Sequence, residues 1–238
     1  LSPDAPPSAP DPRAGRAAAP RTMLAIPAAF SASYAQARVK FLEAAASAGT
    51  RIESFAHPLA GRDGEALALD VALDGAPDSA RLLIVSSGCH GVEGFCGSGV
   101  QVFALHDADW RERARAAGVA VLYLHALNPY GFSHLRRVTQ ENVDLNRNFH
   151  DFGRPLPDNA AYRRVHPLLL PAAWPPDAAS QAAVQDFIAR EGLAAWQAAV
   201  SGGQHEFDDG LFFGGRAPTW SNRTVRQVLA RYAAHARQ

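Results

Sequence analysis

His90 and Glu93 stand three residues apart in Ser86-Ser87-Gly88-Cys89-His90-Gly91-Val92-Glu93-Gly94, a segment punctuated by glycines. Imidazole and carboxylate both suit Zn2+, and two such groups at this spacing converge on one cation where the chain turns. Gly91 and Gly94 permit the backbone angles of such a turn. HxxE also describes a loop histidine followed by a glutamate at a helix N-terminus, where the helix dipole favours a carboxylate. A second segment with chemical content is Asn128-Pro129-Tyr130-Gly131-Phe132, and a third is Asn142-Val143-Asp144-Leu145-Asn146-Arg147-Asn148-Phe149. Arginine holds a carboxylate through two parallel hydrogen bonds, and a neighbouring asparagine adds a neutral donor. Arg136 and Arg137 lie between these two segments and add positive charge. Taken singly, an Arg-Asn cluster reads as a solvated loop.

The elements around these segments have the order of an α/β fold. Residues 82–85 (Leu-Leu-Ile-Val) form a continuous apolar run, the pattern of a buried central strand, and lead directly into the His90 loop. Residues 119–127 read as a second buried strand and lead into Asn128. Sites in α/β sheets form at the carboxyl ends of strands, which is where both loops fall. A helix through Val102, Phe103 and Leu105 separates the two strands, and residues 110–117 continue as a polar helix. Strand, loop, helix and strand in this order make a βαβ unit. Ahead of it, Ser31 or Ser33 caps a helix that Gly49 ends, residues 52–55 form a short strand, and residues 67–73 alternate like an outer strand. Beyond Phe149 a proline-rich stretch reads as a long surface excursion. A helix over 178–190 follows, started by Asp177, and residues 193–200 fit either helix or strand. Residues 201–215 are glycine-rich, and Ser221 caps a last helix that carries no stop signal before Gln238.

The 238 residues carry 23 basic and 23 acidic side chains, a formal net charge of zero. Without a basic surplus, general binding to nucleic acid or to an anionic membrane is excluded. No apolar run approaches the ~18–20 residues that span a bilayer. Cys89 and Cys96 make neither a disulfide framework nor a CxxC knuckle, which places the chain in a reducing, cytoplasmic compartment. Residues 1–22 hold six of the 17 prolines, so 1–27 reads as a disordered Pro/Ala-rich segment ahead of one domain over 28–238. That segment is either a linker or sequence upstream of a start at Met23, the only methionine; composition does not decide.

The order HxxE, helix, strand, NPxG, Arg, DxNRN resembles the zinc carboxypeptidase family and its wider clan. It is closest to a bacterial branch known as a DUF2817-like domain of unknown function. The stretches SGCHGVEGFCGSGVQ, HALNPYGF, LRRVTQENVDLNRNF and GLFFGG, and the opening helix after Phe30, carry the resemblance over residues 28–238. It implies a three-layer α/β/α sandwich around a mixed, mostly parallel sheet. It implies His90 and Glu93 as the first two ligands of a Zn2+ cofactor, and Asn146 with Arg147 as the pair holding a substrate's terminal carboxylate. Arg137, or its neighbour Arg136, takes the place of the arginine that stabilises the oxyanion. The reaction implied is hydrolysis of an amide or peptide bond by a zinc-activated water, on a small peptide substrate with a free carboxylate. An N-acyl-amino-acid deacylase of the aspartoacylase or succinylglutamate desuccinylase type shares the HGxE and DLNR patterns and is the alternative.

A catalytic zinc takes three protein ligands, and the reaction needs a general base. The resemblance puts the third ligand in an Asp-Leu-His-Thr-Gly type strand after the last helix, with the glutamate base beyond it, and neither segment occurs here. Of the downstream histidines, His150, His166, His205 and His235, only His205 sits in a suitable loop, at a position the family does not use. Cys89 has the chemistry of a substitute ligand, although a buried thiol is its simpler reading. The remaining expectation is therefore a truncated, inactive chain with an open, apolar sheet edge and poor solubility.

Overall fold

The structure, a computed structural model, describes residues 24–236. Residues 1–23, most of the expected disordered segment, lie outside the described residues. The first element among the described residues is helix α1 (Ile26–Ala29). Helix α2 (Tyr34–Ser47) follows, and Ser33 caps it by accepting from the Gln36 backbone N–H at 3.3 Å.

Four strands form one mixed sheet in the order β1–β2–β4–β3: β1 (Arg51–Ala60), β2 (Ala66–Asp74), β3 (Arg81–Ser86) and β4 (Val119–His125). β1 pairs antiparallel with β2 and β2 antiparallel with β4, whereas β3 and β4 run parallel. The parallel character is thus confined to the βαβ unit, whose crossover is made by α3 (Gly94–His106) and α4 (Ala108–Ala116). The pleat sends alternate side chains to two cores. Leu69, Val71, Leu73, Leu122 and Leu124 pack toward α10 (Trp220–Tyr232). Ala72, Val121 and Tyr123 pack toward Phe41, Ala44 and Ala45 of α2 and Val102 and Leu105 of α3. The result is a helix layer on each face of the sheet, as expected for an α/β/α sandwich.

Two strand assignments change places. β2, expected as an outer strand, is interior and buried from Leu67 to Asp74. Its polar positions imitate a solvent face, but arginines neutralise them. Arg38 Nε lies 2.7 Å from Asp70 Oδ2, and Arg111 and Arg115 reach Asp74 at 2.6 and 2.7 Å. β3, expected as a buried central strand, lies at the sheet edge, with Leu83 39% and Ile84 41% exposed. An apolar run records side chains suited to burial and carries no information on whether a neighbouring strand stands beside it.

The excursion after Phe149 contains helix α7 (Ala160–Leu169), capped by Asn159, and with α8 (Ala178–Glu191) and α9 (Leu193–Ser201) it surrounds Tyr162, Val165, Phe187 and Ala199. The ambiguous segment 193–200 is therefore helical. Asp177 caps α8 as expected. α10 is capped by Thr219 rather than Ser221, and it closes at Tyr232 rather than continuing to the chain end. No helix among the described residues is long and apolar enough to cross a membrane. Two short helices complete the set, α5 (Pro129–Ser133) and α6 (Leu145–Asn148), and both serve the site.

Candidate functional site

β3 and β4 end side by side and the chain after them stays laced. Leu127 N–H donates to Ser87 O at 2.9 Å and Asn128 N–H to Gly88 O at 2.8 Å. Asn128 then caps α5 by accepting from Gly131 N–H at 2.8 Å. The His90 loop lies directly against this turn: a Cβ on Gly91 would stand 1.9 Å from the Gly131 carbonyl carbon, so only glycine fits. α3 begins at Gly94 with Glu93 as its N-cap, yet the Glu93 side chain makes no capping hydrogen bond. Its carboxylate turns to His90 Nδ1 at 2.9 Å, with Arg137 Nη1 3.8 Å from its other oxygen. Glu93 therefore heads a helix and at the same time faces the histidine.

His90 is 7% exposed. Its Nε2 lies 3.2 Å from Asp144 Oδ1 and 3.2 Å from Asn146 Nδ2. Asp144 is fully buried and caps α6, accepting from Asn146 N–H at 3.0 Å. Its second oxygen accepts from Arg137 Nε and Nη2 at 3.3 and 3.2 Å. Cys89 donates from Sγ to Asn146 Oδ1 at 3.1 Å. Burial first, then the nearby Asp144 and Glu93, push the Cys89 thiol up to about 11, which keeps it neutral at ordinary pH. Arg147 lies on the far side of α6, donating from Nη2 to Ser201 O at 2.9 Å, and its guanidinium stands 5.8 Å from the Phe212 ring centre.

Four of the six sequence-derived residues, His90, Glu93, Arg137 and Asn146, thus meet in one cluster, and Arg147 stands beside it, sharing with Arg137 the Phe212 ring. Arg136 does not join it. It is exposed, whereas the Arg137 side chain reaches Asp144 and Glu93. His205 is also held elsewhere: its Nδ1 lies 2.6 Å from Gly215 O and its ring 6.0 Å from His150. The sequence reading missed Asp144 as a functional residue, although an aspartate opening the Leu-Asn-Arg-Asn helix carries the cap signal.

Residues 30–238 match the family described as "Protein of unknown function (DUF2817)". The chain belongs to the DUF2817 family. No curated protein matches it. Among solved structures, this DUF2817 chain is similar to three glutaminyl cyclases. That of Macrostomum lignano is 13% identical, with TM-score 0.27, over 40% of this chain and 32% of the other. That of Tannerella forsythia is 13% identical, with TM-score 0.30, over 51% and 49%. That of Porphyromonas gingivalis is 15% identical, with TM-score 0.25, over 53% and 56%. The DUF2817 chain therefore matches between a third and just over half of the length of these structures.

The donor chemistry of the DUF2817 site fits zinc in part. An imidazole nitrogen and a carboxylate oxygen face each other at 2.9 Å, and a buried carboxylate holds the other imidazole nitrogen, the usual support of a metal-bound histidine. The number of donors falls short. Among the described residues, no group of three or more His, Cys, Asp or Glu side chains is arranged to hold a metal ion.

Proposed function

We propose that this DUF2817 domain serves zinc-dependent hydrolysis of an amide bond in a small substrate bearing a free carboxylate, in the manner of a metallocarboxypeptidase. The observation that carries the reading is the His90–Glu93 pair backed by buried Asp144, which also anchors Arg137. His90 and Glu93 would hold the metal, which when bound supplies Lewis acidity and an acidified water. Asp144 fixes the ring of His90. Arg137, 45% exposed and anchored on Asp144, presents a guanidinium where an amide oxygen gains charge. Asn146 and Arg147 receive the substrate carboxylate. The surroundings implied are cytoplasmic, with Cys89 and Cys96 free.

Two further readings have specific support. An N-acyl-amino-acid deacylase needs the same groups and differs in which side of the amide bears the carboxylate. A non-catalytic role is favoured by the donor count, since among the described residues no group of three or more His, Cys, Asp or Glu side chains is arranged to hold a metal ion. Zinc analysis of the purified chain and turnover of an N-blocked dipeptide against an N-acetyl amino acid separate the three. One tightly held zinc, with dipeptide hydrolysis abolished by His90→Ala, supports the peptidase. Preference for the acetyl amino acid supports the deacylase. Absence of both zinc and turnover supports the non-catalytic role.

A further inference from the structure

We propose that Phe212 is a positioning residue for the two arginines of the site, and that its ring sets where a substrate carboxylate is received; the inference rests on the carboxylate-binding reading of Arg147. Arg137 and Arg147 come from different segments, yet their guanidinium carbons stand 5.4 and 5.8 Å from the centre of this one ring. Both distances lie within the reach of cation–π attraction. Elsewhere the two arginines have different anchors, Arg137 on Asp144 and beside Glu93, and Arg147 on Ser201 O. The ring is the element they share.

The backbone of Phe212 shows that its placement is enforced. Its φ is +52°, a left-handed conformation that is unfavourable for a bulky residue. Hydrogen bonds clamp the loop on both sides of it. Gln204 N–H donates to Phe212 O at 3.2 Å and Gly214 N–H donates to Gln204 O at 2.7 Å. The neighbouring Phe213 O accepts from Asp144 N–H at 2.8 Å. Asn142 Nδ2 donates to Asp208 O and Gly210 O at 2.9 and 3.0 Å, and Asn148 Nδ2 to Gly214 O at 2.8 Å. The glycine-rich loop is therefore stapled to the segment that supplies Asp144, Asn146 and Arg147. Gly203 closes around the same arginine: a Cβ there would stand 2.7 Å from Arg147 Cδ. Phe212 is only half-buried, so apolar burial alone does not account for holding it in this conformation.

The test is an NMR titration of the full chain with N-acetylglycine, a carboxylate joined to one amide, and with its neutral counterpart N-acetylglycinamide. Phe212→Leu is expected to weaken N-acetylglycine binding by about tenfold, whereas Phe212→Tyr, which keeps a ring, stays within about twofold. Neither substitution changes the response to the neutral amide. Wild-type affinity in Phe212→Leu, or an equal loss for both probes, overturns the proposal while leaving the role of Arg147 intact. Failure of Arg147→Ala to weaken N-acetylglycine binding overturns the reading beneath it, and the proposal with it. If Phe212→Leu unfolds, Phe212→Tyr still decides: loss of carboxylate binding in that folded, ring-bearing variant counts against the proposal.

Discussion

Asp144 and His90 meet through Oδ1 and Nε2 at 3.2 Å, and the other oxygen of the same buried carboxylate receives Arg137 at 3.2 Å. One side chain therefore fixes both the imidazole that faces Glu93 and the guanidinium above it. Asp144→Asn keeps the size and can still cap α6, but replaces one acceptor oxygen with a donor. The expected result is a zinc affinity lowered about 10- to 100-fold, the usual cost of losing the carboxylate behind a metal-binding histidine. Competition against a chromophoric chelator measures it. Arg137→Ala, which spares His90, is expected to leave zinc affinity within about threefold.

The buried aspartate of β2 offers a stability test independent of function. Asp74 is 5% exposed and takes Arg111 on one oxygen and Arg115 on the other. The Arg111 side chain is 13% exposed and that of Arg115 is 46% exposed. Removing one partner of a buried pair strands the other charge, whereas a half-exposed arginine is replaced by water. Asp74→Ala is expected to cost about 3 kcal/mol and Arg115→Ala less than about 1 kcal/mol, read from urea unfolding midpoints.

The sequence made the site more legible than the sheet. His90 and Glu93 sit in the loop that follows β3, and Asn146 and Arg147 sit on α6; residue type and spacing mark them as candidates without long-range information. The order of the strands depends on which backbones pair, and residues 82–85 look alike at a centre or an edge. β2 misled for a related reason: Asp70 and Asp74 look solvent-facing until Arg38, Arg111 and Arg115 are brought to them from α2 and α4. The contacts of Phe212 with Arg147 and Arg137 span 65 and 75 positions, the staples from Asn142 and Asn148 span 66 to 68, and none of them leaves a local signal.

His125 carries an acid-sensitivity prediction. It is fully buried at the end of β4, stacked on Phe41 at 4.6 Å, with Nε2 2.9 Å from Ser98 Oγ and Nδ1 without a hydrogen-bond partner among the described residues. Burial lowers its pKa to about 4, against a smaller opposing pull from Asp70, while Arg38 adds to the lowering. The unfolded chain then binds a proton near pH 6.5 that the folded chain refuses until about 4. The neutral ring's contribution is complete above pH 6.5 and is lost as pH falls toward 4, about 3 kcal/mol in all. His125→Phe keeps the stack on Phe41 and removes the titration; its loss of the Ser98 partner is a pH-independent offset. Unfolding free energies at pH 7 and pH 4 should differ by about 3 kcal/mol less in the variant than in the wild type. Equal differences would show that His125 does not govern the acid response.

The two sheet edges are protected differently. β1 carries Arg51, Glu53, Ser54, His57 and Pro58, a strand with charges and a missing donor that discourage further pairing. β3 has Leu83 and Ile84 turned to opposite faces, both about two-fifths exposed, and pairs only with β4 among the described residues. A flat apolar edge is a template for another strand, so the purified chain is expected to self-associate at micromolar concentration. Leu83→Lys places a charge in the middle of that edge and should lower light scattering severalfold at equal concentration. Ile52→Lys on β1, at a position 37% exposed, adds the same charge to an edge already guarded and should change scattering little. Equal effects of the two substitutions would assign the benefit to net charge rather than to β3, and a monodisperse wild-type chain would remove the premise altogether.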